Sequence, residues 1–229
     1  MSFLAIIPAR GGSKSIPRKN LRVVAGKPLI VWSIEQALDA KLVDHVLVST
    51  DDLEIAEVAR RAGAEVPFLR PAELASDTAP TEPVLLHALD WLDEHGGYRP
   101  EGVVLLQPTC PVRRPGTIDG AIQLLTERRA DSLVGVREIH PFLWRGVESP
   151  RASYDFMNRP RRQDVAEADQ TFEETGAMYI TRTEFLRRSR NRLGGKIALF
   201  CMGADESWDV DAESDLIVVD ALLSKEVFK

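Results

Sequence analysis

Phe3-Leu4-Ala5-Ile6-Ile7-Pro8-Ala9-Arg10-Gly11-Gly12-Ser13-Lys14-Ser15-Ile16-Pro17-Arg18-Lys19-Asn20 is the stretch that decides the fold. Residues 3–7 form an unbroken apolar run, which predicts a strand buried on both faces, as in a parallel sheet. The run breaks into a loop of glycines and cations at the strand's carboxyl end, where open α/β sheets bind ligands. The loop is neither the G-x-G-x-x-G dinucleotide fingerprint nor the G-x-x-x-x-G-K-[ST] phosphate loop. Its parts still suit a polyphosphate: Gly11 and Gly12 allow close backbone approach, and Arg10, Lys14, Arg18 and Lys19 supply positive charge. A solvated turn carrying surface cations is the other reading of the same residues.

Downstream, short β-rich runs alternate with helical patterns, the mark of an α/β protein. Residues 29–42 place apolar side chains near the 3.6-residue period and predict a helix. Residues 45–50 predict a second strand, Asp51-Asp52 opens a helix, and residues 64–69 predict a third strand. The polar stretch 76–83 leads into a helix ending at Leu92. Residues 102–106 form the most hydrophobic strand; a helix over 117–128 and a strand over 132–136 follow. Residues 140–172 lose this rhythm and carry Arg145, Arg151, Arg159, Arg161 and Arg162 among scattered aromatics. They predict an excursion from the sheet, a flap or dimerisation arm, within a single domain of residues 1–229. Strands at 177–180 and 197–202 and a helix over 213–223 complete the pattern.

The 229 residues hold 29 Lys+Arg against 35 Asp+Glu, a formal net charge of −6. That balance argues against a general nucleic-acid binder, which carries a basic surplus, yet leaves room for small phosphate ligands held by local charge. A hydrophobic fraction of 44% and a charged fraction of 28% exclude a wholly disordered, collagenous or coiled-coil chain. Cys110 and Cys201 lack the paired spacing of a zinc site and are too few for a disulfide framework. The first apolar run is shorter than a signal peptide's core, and no run approaches the ~20 residues that span a bilayer. A cytoplasmic protein with neither nucleic acid nor membrane as partner is expected.

Seven blocks carry a resemblance. They are the N-terminal block through Leu21, Ser49-Thr50-Asp51, Arg70-Pro71-Ala72-Glu73-Leu74-Ala75-Ser76-Asp77-Thr78, Leu106-Gln107-Pro108-Thr109-Cys110-Pro111-Val112-Arg113, Arg161-Arg162-Gln163-Asp164, Gly176-Ala177-Met178-Tyr179-Ile180 and Asp209-Val210-Asp211. In this order the chain resembles the acylneuraminate cytidylyltransferases, also called CMP-sialic acid synthetases. The resemblance implies a nucleotide-diphospho-sugar-transferase-like fold, that is, a Rossmann-like mixed sheet flanked by helices, with a small irregular dimerisation arm. It also implies a homodimer, CTP and a small acidic sugar as substrates, and Mg²⁺ as cofactor, with Mn²⁺ able to replace it.

Taken residue by residue, the resemblance assigns Arg10, Ser13 and Lys19 to the CTP phosphates, with Gly11 and Gly12 beside them and Lys19 most tied to catalysis. Asn20, Arg70 and Thr81 match positions around the cytidine, and Asp77 joins the nucleotide set. Gln107, Tyr179, Arg162 and Gln163 fall to the sugar, and Asp209 and Asp211 to the metal. Arg10 and Asp211 complete the catalytic set with Lys19.

Several of these residues also have a physical reading of their own. Two positions apart on an extended segment, Asp209 and Asp211 point the same way and offer hard oxygen donors. By themselves they are also a pair of solvated acids ahead of a helix. Gln107 must satisfy its amide where an apolar strand ends, on a ligand or on a loop. Asp77 and Thr81 read also as helix-capping residues, and Tyr179 as a core residue with its hydroxyl at the surface.

Three stretches depart from the family pattern: Glu173-Glu174-Thr175-Gly176-Ala177 where Asn-Gly-Ala before the tyrosine is common, His140-Pro141-Phe142-Leu143-Trp144, and Cys110 where serine is commoner. The departures spare the nucleotide end and bear on the acceptor. The reading is therefore CMP transfer from CTP to a nonulosonate, with release of pyrophosphate. Its rivals are the same chemistry on another acid (a deaminated or diamino nonulosonate, or a phosphonate) and a non-catalytic nucleotide-binding regulator. Lys19 and the Asp209/Asp211 pair weigh against the regulator.

Overall fold

The computed structural model describes residues 2–161, 163 and 170–228. The apolar run forms β1 (Phe3–Pro8), which pairs in parallel with β4 (His45–Ser49) on one side and β5 (Gly102–Leu106) on the other. Ile6 thus lies between Leu47 and Leu105. β9 (Thr171–Arg182) runs antiparallel between β5 and β6 (Ser132–Ile139), and β10 (Ile197–Cys201) closes the edge parallel to β6. The sheet order is β10-β6-β9-β5-β1-β4, and the short strands β2 (Val23–Val24) and β3 (Lys27–Pro28) pair antiparallel apart from it.

The period of two along β1 divides its side chains between two layers. Phe3, Ala5 and Ile7 pack under α1 (Leu29–Leu38), α2 (Leu53–Arg61) and α4 (Thr117–Glu127). Leu4 and Ile6 pack on the other face against α3 (Thr81–Gly96) and α5 (Thr183–Ser189). The fold is therefore a mixed α/β sheet covered on both faces. Among the described residues, no helix is long and apolar enough to cross a membrane.

A third apolar cluster matters most for the site. Ile16, Val24, Leu29 and Trp32 meet Val210 and α6 (Glu213–Leu223) there, drawing the loop after β1 onto the C-terminal segment. Each fully buried aliphatic side chain of this kind contributes about 1.5–3 kcal/mol relative to exposure.

Four expectations change. The strand expected at 64–69 shrinks to one bridge between Leu47 and Glu65, because Pro67 has no N–H to continue a ladder. The helix expected over 29–42 ends at Leu38, since Asp119 of α4 accepts the backbone N–H groups of Lys41 and Leu42 at 3.1 and 2.9 Å. The strand expected at 177–180 is twelve residues long, its alternation hidden by a register shift and by Gly176 at φ +70°. The excursion expected at 140–172 is correspondingly narrower. It holds a small hairpin of β7 (Trp144–Arg145) and β8 (Arg151–Ala152), over which Phe142, Trp144, Tyr154 and Phe156 cluster.

Candidate active site

The chain passes from β1 to β4 on one side and returns to β5 on the other, so the loops leaving β1 and β5 diverge. Open α/β sheets bind ligands at such a switch point. A crevice of about 480 Å³ opens there. Its walls are the loop after β1, the segment from Arg70 to Val84, the end of β5 from Gln107 to Thr109, and Asp211. A larger hollow of about 630 Å³ lies at the amino ends of β5 and β6, where Arg99, Arg182, Arg187 and Arg188 mingle with Asp93, Glu101, Asp131 and Glu184. That mixture leaves no surplus of one sign, whereas the crevice concentrates cations.

The loop after β1 is held from below by acids. Gly11 donates its N–H to Asp51 Oδ1 at 3.0 Å, and a side chain on Gly11 would begin 2.5 Å from Asp52 Oδ2. Only glycine permits that approach. Gly12 faces open space and lines the crevice. Asn20 donates to the Arg10 carbonyl at 3.1 Å and ties the loop's two ends together.

Arg18 adopts a left-handed backbone (φ 56°) and sends its guanidinium to Asp52 and Glu54, outside the crevice lining. Asp52 caps α2 by accepting the N–H groups of Glu54 and Ile55, both at 3.0 Å. Its hydrogen bond from Arg18, helped by those from the backbone, holds its carboxyl below the usual carboxylate range. A depressed folded-state pKa stabilises above the unfolded-state value of about 4 and is lost as pH falls through the lower folded value. Asp52→Ala is expected to cost about 0.5–2 kcal/mol at neutral pH. Denaturant titrations should show the gap to the parent chain closing below about pH 4; a gap independent of pH would remove the ionic part of this account.

Lys19 is 7% exposed, and its Nζ donates to the carbonyl of Val210 and to Asp211 Oδ1, the latter at 3.3 Å. The cationic loop and the D-x-D segment, distant in sequence, thus meet in one place. Val210 is buried and gives its N–H to the Thr109 carbonyl at 2.8 Å, so Asp209 and Asp211 emerge on either side of a fixed residue. Asp211 lines the crevice. Asp209 lies outside that lining, against the buried thiol of Cys110, whose pKa burial and the Asp209 charge push up to about 12. A thiol so protonated is no nucleophile at neutral pH.

On the facing wall, Asp77 stands 2.7 Å from Arg10 Nη1 and 2.8 Å from Lys14 Nζ. Lys14 chiefly holds its carboxyl below the usual range. A carboxylate bridging two cations marks where an anion is welcome. Arg70 is buried, bonded to the Ser49 hydroxyl at 3.1 Å and to the Ser49 carbonyl, and burial lowers its pKa to about 10. It remains charged at neutral pH.

The crevice gathers Arg10, Gly12, Ser13, Lys19, Asn20, Arg70, Asp77, Thr81, Gln107 and Asp211 from the residues singled out in the sequence. Gly11 supports the loop from behind. Tyr179 is buried in the layer under α3; its hydroxyl donates to Glu174 at 2.8 Å, and burial pushes its pKa up to about 12. Gln163 is exposed and outside the lining, and Arg162 lies outside the described residues. Lys14, one of the cations read from the sequence, lines the crevice too, and so do Ser15, Ser76 and Thr109, to which no role had been assigned. Their signal was adjacency, since each directly neighbours an assigned residue or lies two positions from one.

Residues 4–190 match the family described as Cytidylyltransferase, and the chain belongs to that family. It is 36% identical over 219 residues to N-acylneuraminate cytidylyltransferase of Oncorhynchus mykiss, a match covering 92% of this chain and 48% of that protein. The chain spans about half the length of that relative. It is 34% identical over 185 residues to pseudaminic acid cytidylyltransferase of Campylobacter jejuni subsp. jejuni, covering 79% of this chain and 78% of that one. The solved structure of CMP:2-keto-3-deoxy-manno-octonic acid synthetase complexed with CTP superposes with a TM-score of 0.73. That match has 20% identity and covers 99% of this chain and 100% of the other, so the likeness is one of fold.

Proposed function

We propose that this chain transfers CMP from CTP to an acidic sugar of the nonulosonate class and releases pyrophosphate. The observation that carries the reading is the junction of Lys19 with Asp211 in a crevice that also holds Arg10 and Lys14. The acceptor's anomeric hydroxyl attacks the α-phosphorus in line, giving up its proton to water, as the bond from that phosphorus to the bridging oxygen of the departing pyrophosphate breaks. Catalysis of such a transfer is positioning and charge neutralisation. Arg10, Lys14 and Lys19 gather the triphosphate, and Lys19 and Arg10 neutralise the charge that grows on the leaving pyrophosphate. Asn20, Arg70 and Thr81 frame the nucleoside, and Gln107 faces the acceptor.

Mg²⁺ belongs to the proposal. It is usually held by one or two carboxylates together with substrate phosphates and water. Asp211, exposed in the crevice, meets that demand as the principal carboxylate; Asp209, two residues away and outside the lining, would be the second. When bound, the ion supplies further neutralisation of phosphate charge. The proposal includes a cytoplasmic homodimer joined through the arm, where Leu143, Trp144, Val147, Phe156 and Met157 leave apolar surface exposed. Such surface is characteristic of a protein contact.

Pyrophosphate release with CTP, UTP and ATP against N-acetylneuraminic, pseudaminic and deaminated nonulosonic acids tests the reading. CTP is expected to be preferred, one acid of the panel to be turned over, and a strong chelator to stop the reaction. Equal turnover with UTP or ATP, or full activity in chelator, contradicts it. Nucleotide binding without turnover of any acid supports the regulator instead.

A further inference from the structure

Arg113 is the largest fully buried side chain in the molecule's described part, 1% exposed, and no carboxylate bonds to it. Its Nη1 donates to Ser33 Oγ at 3.1 Å and Gln36 Oε1 at 3.0 Å, both on α1. Its Nη2 donates to the Gln107 carbonyl at 3.2 Å and the Ala177 carbonyl at 2.5 Å. Its Nε has no partner. A buried charge without an opposite charge bonded to it is costly, so an arginine here calls for a reason beyond packing.

The sheet supplies that reason. The β5–β9 ladder ends at the pair Leu106 and Met178, one residue short of both Gln107 and Ala177. The β6–β9 ladder loses register over the same part of β9. Residues 175–177 therefore sit outside both ladders where the crevice begins. In this gap Gly176 takes φ +70°, and a side chain on it would begin 3.2 Å from Gln107 Oε1 and 3.5 Å from Cys110 Sγ. The Gly176 backbone thus backs the Gln107 amide, which lines the crevice, and no strand pairing sets the distance between them.

We infer that Arg113 is a positioning residue for the acceptor half of the crevice: it bridges the carbonyls of Gln107 and Ala177 where strand pairing has stopped, and anchors both to α1. The planar guanidinium suits the task because its fixed fork reaches several acceptors at once. Lysine, with one nitrogen, keeps the charge and cannot span the same four groups. Arg113 touches no substrate; it acts through Gln107 and Gly176. The inference rests on the reading of Gln107 as an acceptor contact.

The test is steady-state pyrophosphate release by Arg113→Lys, with CTP and with whichever of N-acetylneuraminic or pseudaminic acid the parent chain turns over. The variant should fold, as judged by circular dichroism. Its KM for the acid should rise about tenfold or more while its KM for CTP stays within about twofold, because misplacement harms only the substrate that meets the shifted wall. A purely structural arginine would move both constants together or neither, and either result overturns the inference. If Arg113→Lys does not fold, Gly176→Ala perturbs the same wall from β9 and must show the same split; its absence also overturns the inference. A parent chain that turns over no acid overturns the proposed function, and this inference with it. Turnover by the parent without a split in the variants overturns this inference alone.

Discussion

Lys19→Ala is expected to lose a factor on the order of 10²–10³ in the rate of pyrophosphate release, equivalent to about 2.7–4 kcal/mol of transition-state stabilisation. The expectation follows from a buried ammonium that has given up most of its hydration and is held at the edge of the crevice by Val210 and Asp211. Such a cation needs no reorganisation when charge develops on a leaving pyrophosphate, and it acts where water screens little. The substitution also leaves the Val210 carbonyl without its lysine donor, which costs about 1–3 kcal/mol of stability. Turnover at saturating CTP and a denaturant titration, both taken well below the melting temperature, separate the two effects. A rate that falls only as far as the folded fraction falls would make Lys19 a structural residue.

Asp211→Asn should lose a comparable factor, on the order of 10² or more, with little change in fold. Its side chain is 78% exposed, and substitutions at such surface positions shift stability by about ±0.5 kcal/mol. Asp209→Asn should lose less, because Asp209 sits against Cys110 rather than in the crevice lining. Activity measured across a Mg²⁺ titration gives the comparison. If Asp209→Asn proves the more damaging, the principal carboxylate has been placed on the wrong side of Val210.

The parts of the fold legible in the sequence were those whose burial leaves a continuous apolar trace. Residues 3–7 and 102–106 are strands covered on both faces, and their composition needs no partner to be read. The helix over 213–223 was legible for a different reason, a polar run giving way to an apolar one broken only by Asp220. Pairing, by contrast, depends on residues far away. Pro67 silenced a strand whose composition was favourable, and Asp119 ended a helix from another element.

The site divides in the same way. A cluster of cations after a buried strand is visible in sequence, whereas their individual directions are not. Arg18 and Lys19 are neighbours, yet a left-handed residue turns one toward Asp52 and Glu54 and the other into the crevice. The two-residue period sends Asp209 and Asp211 to the same side; in the structure both are exposed around buried Val210, yet one meets the crevice and the other a thiol. The standing of Tyr179 was open between core and ligand; its place under α3 with Glu174 on its hydroxyl comes from packing alone.

The Lys19–Val210 bond joins positions 191 residues apart. Every strand of the central sheet ends by Cys201, ahead of Val210 in the chain. The sheet can therefore pair while the crevice still lacks Asp211 and Lys19 lacks its two acceptors. Contacts of such separation form late, since the loop they close must be ordered first. The crevice is thus finished only when the Val210 segment and α6 dock, after the sheet on which it stands.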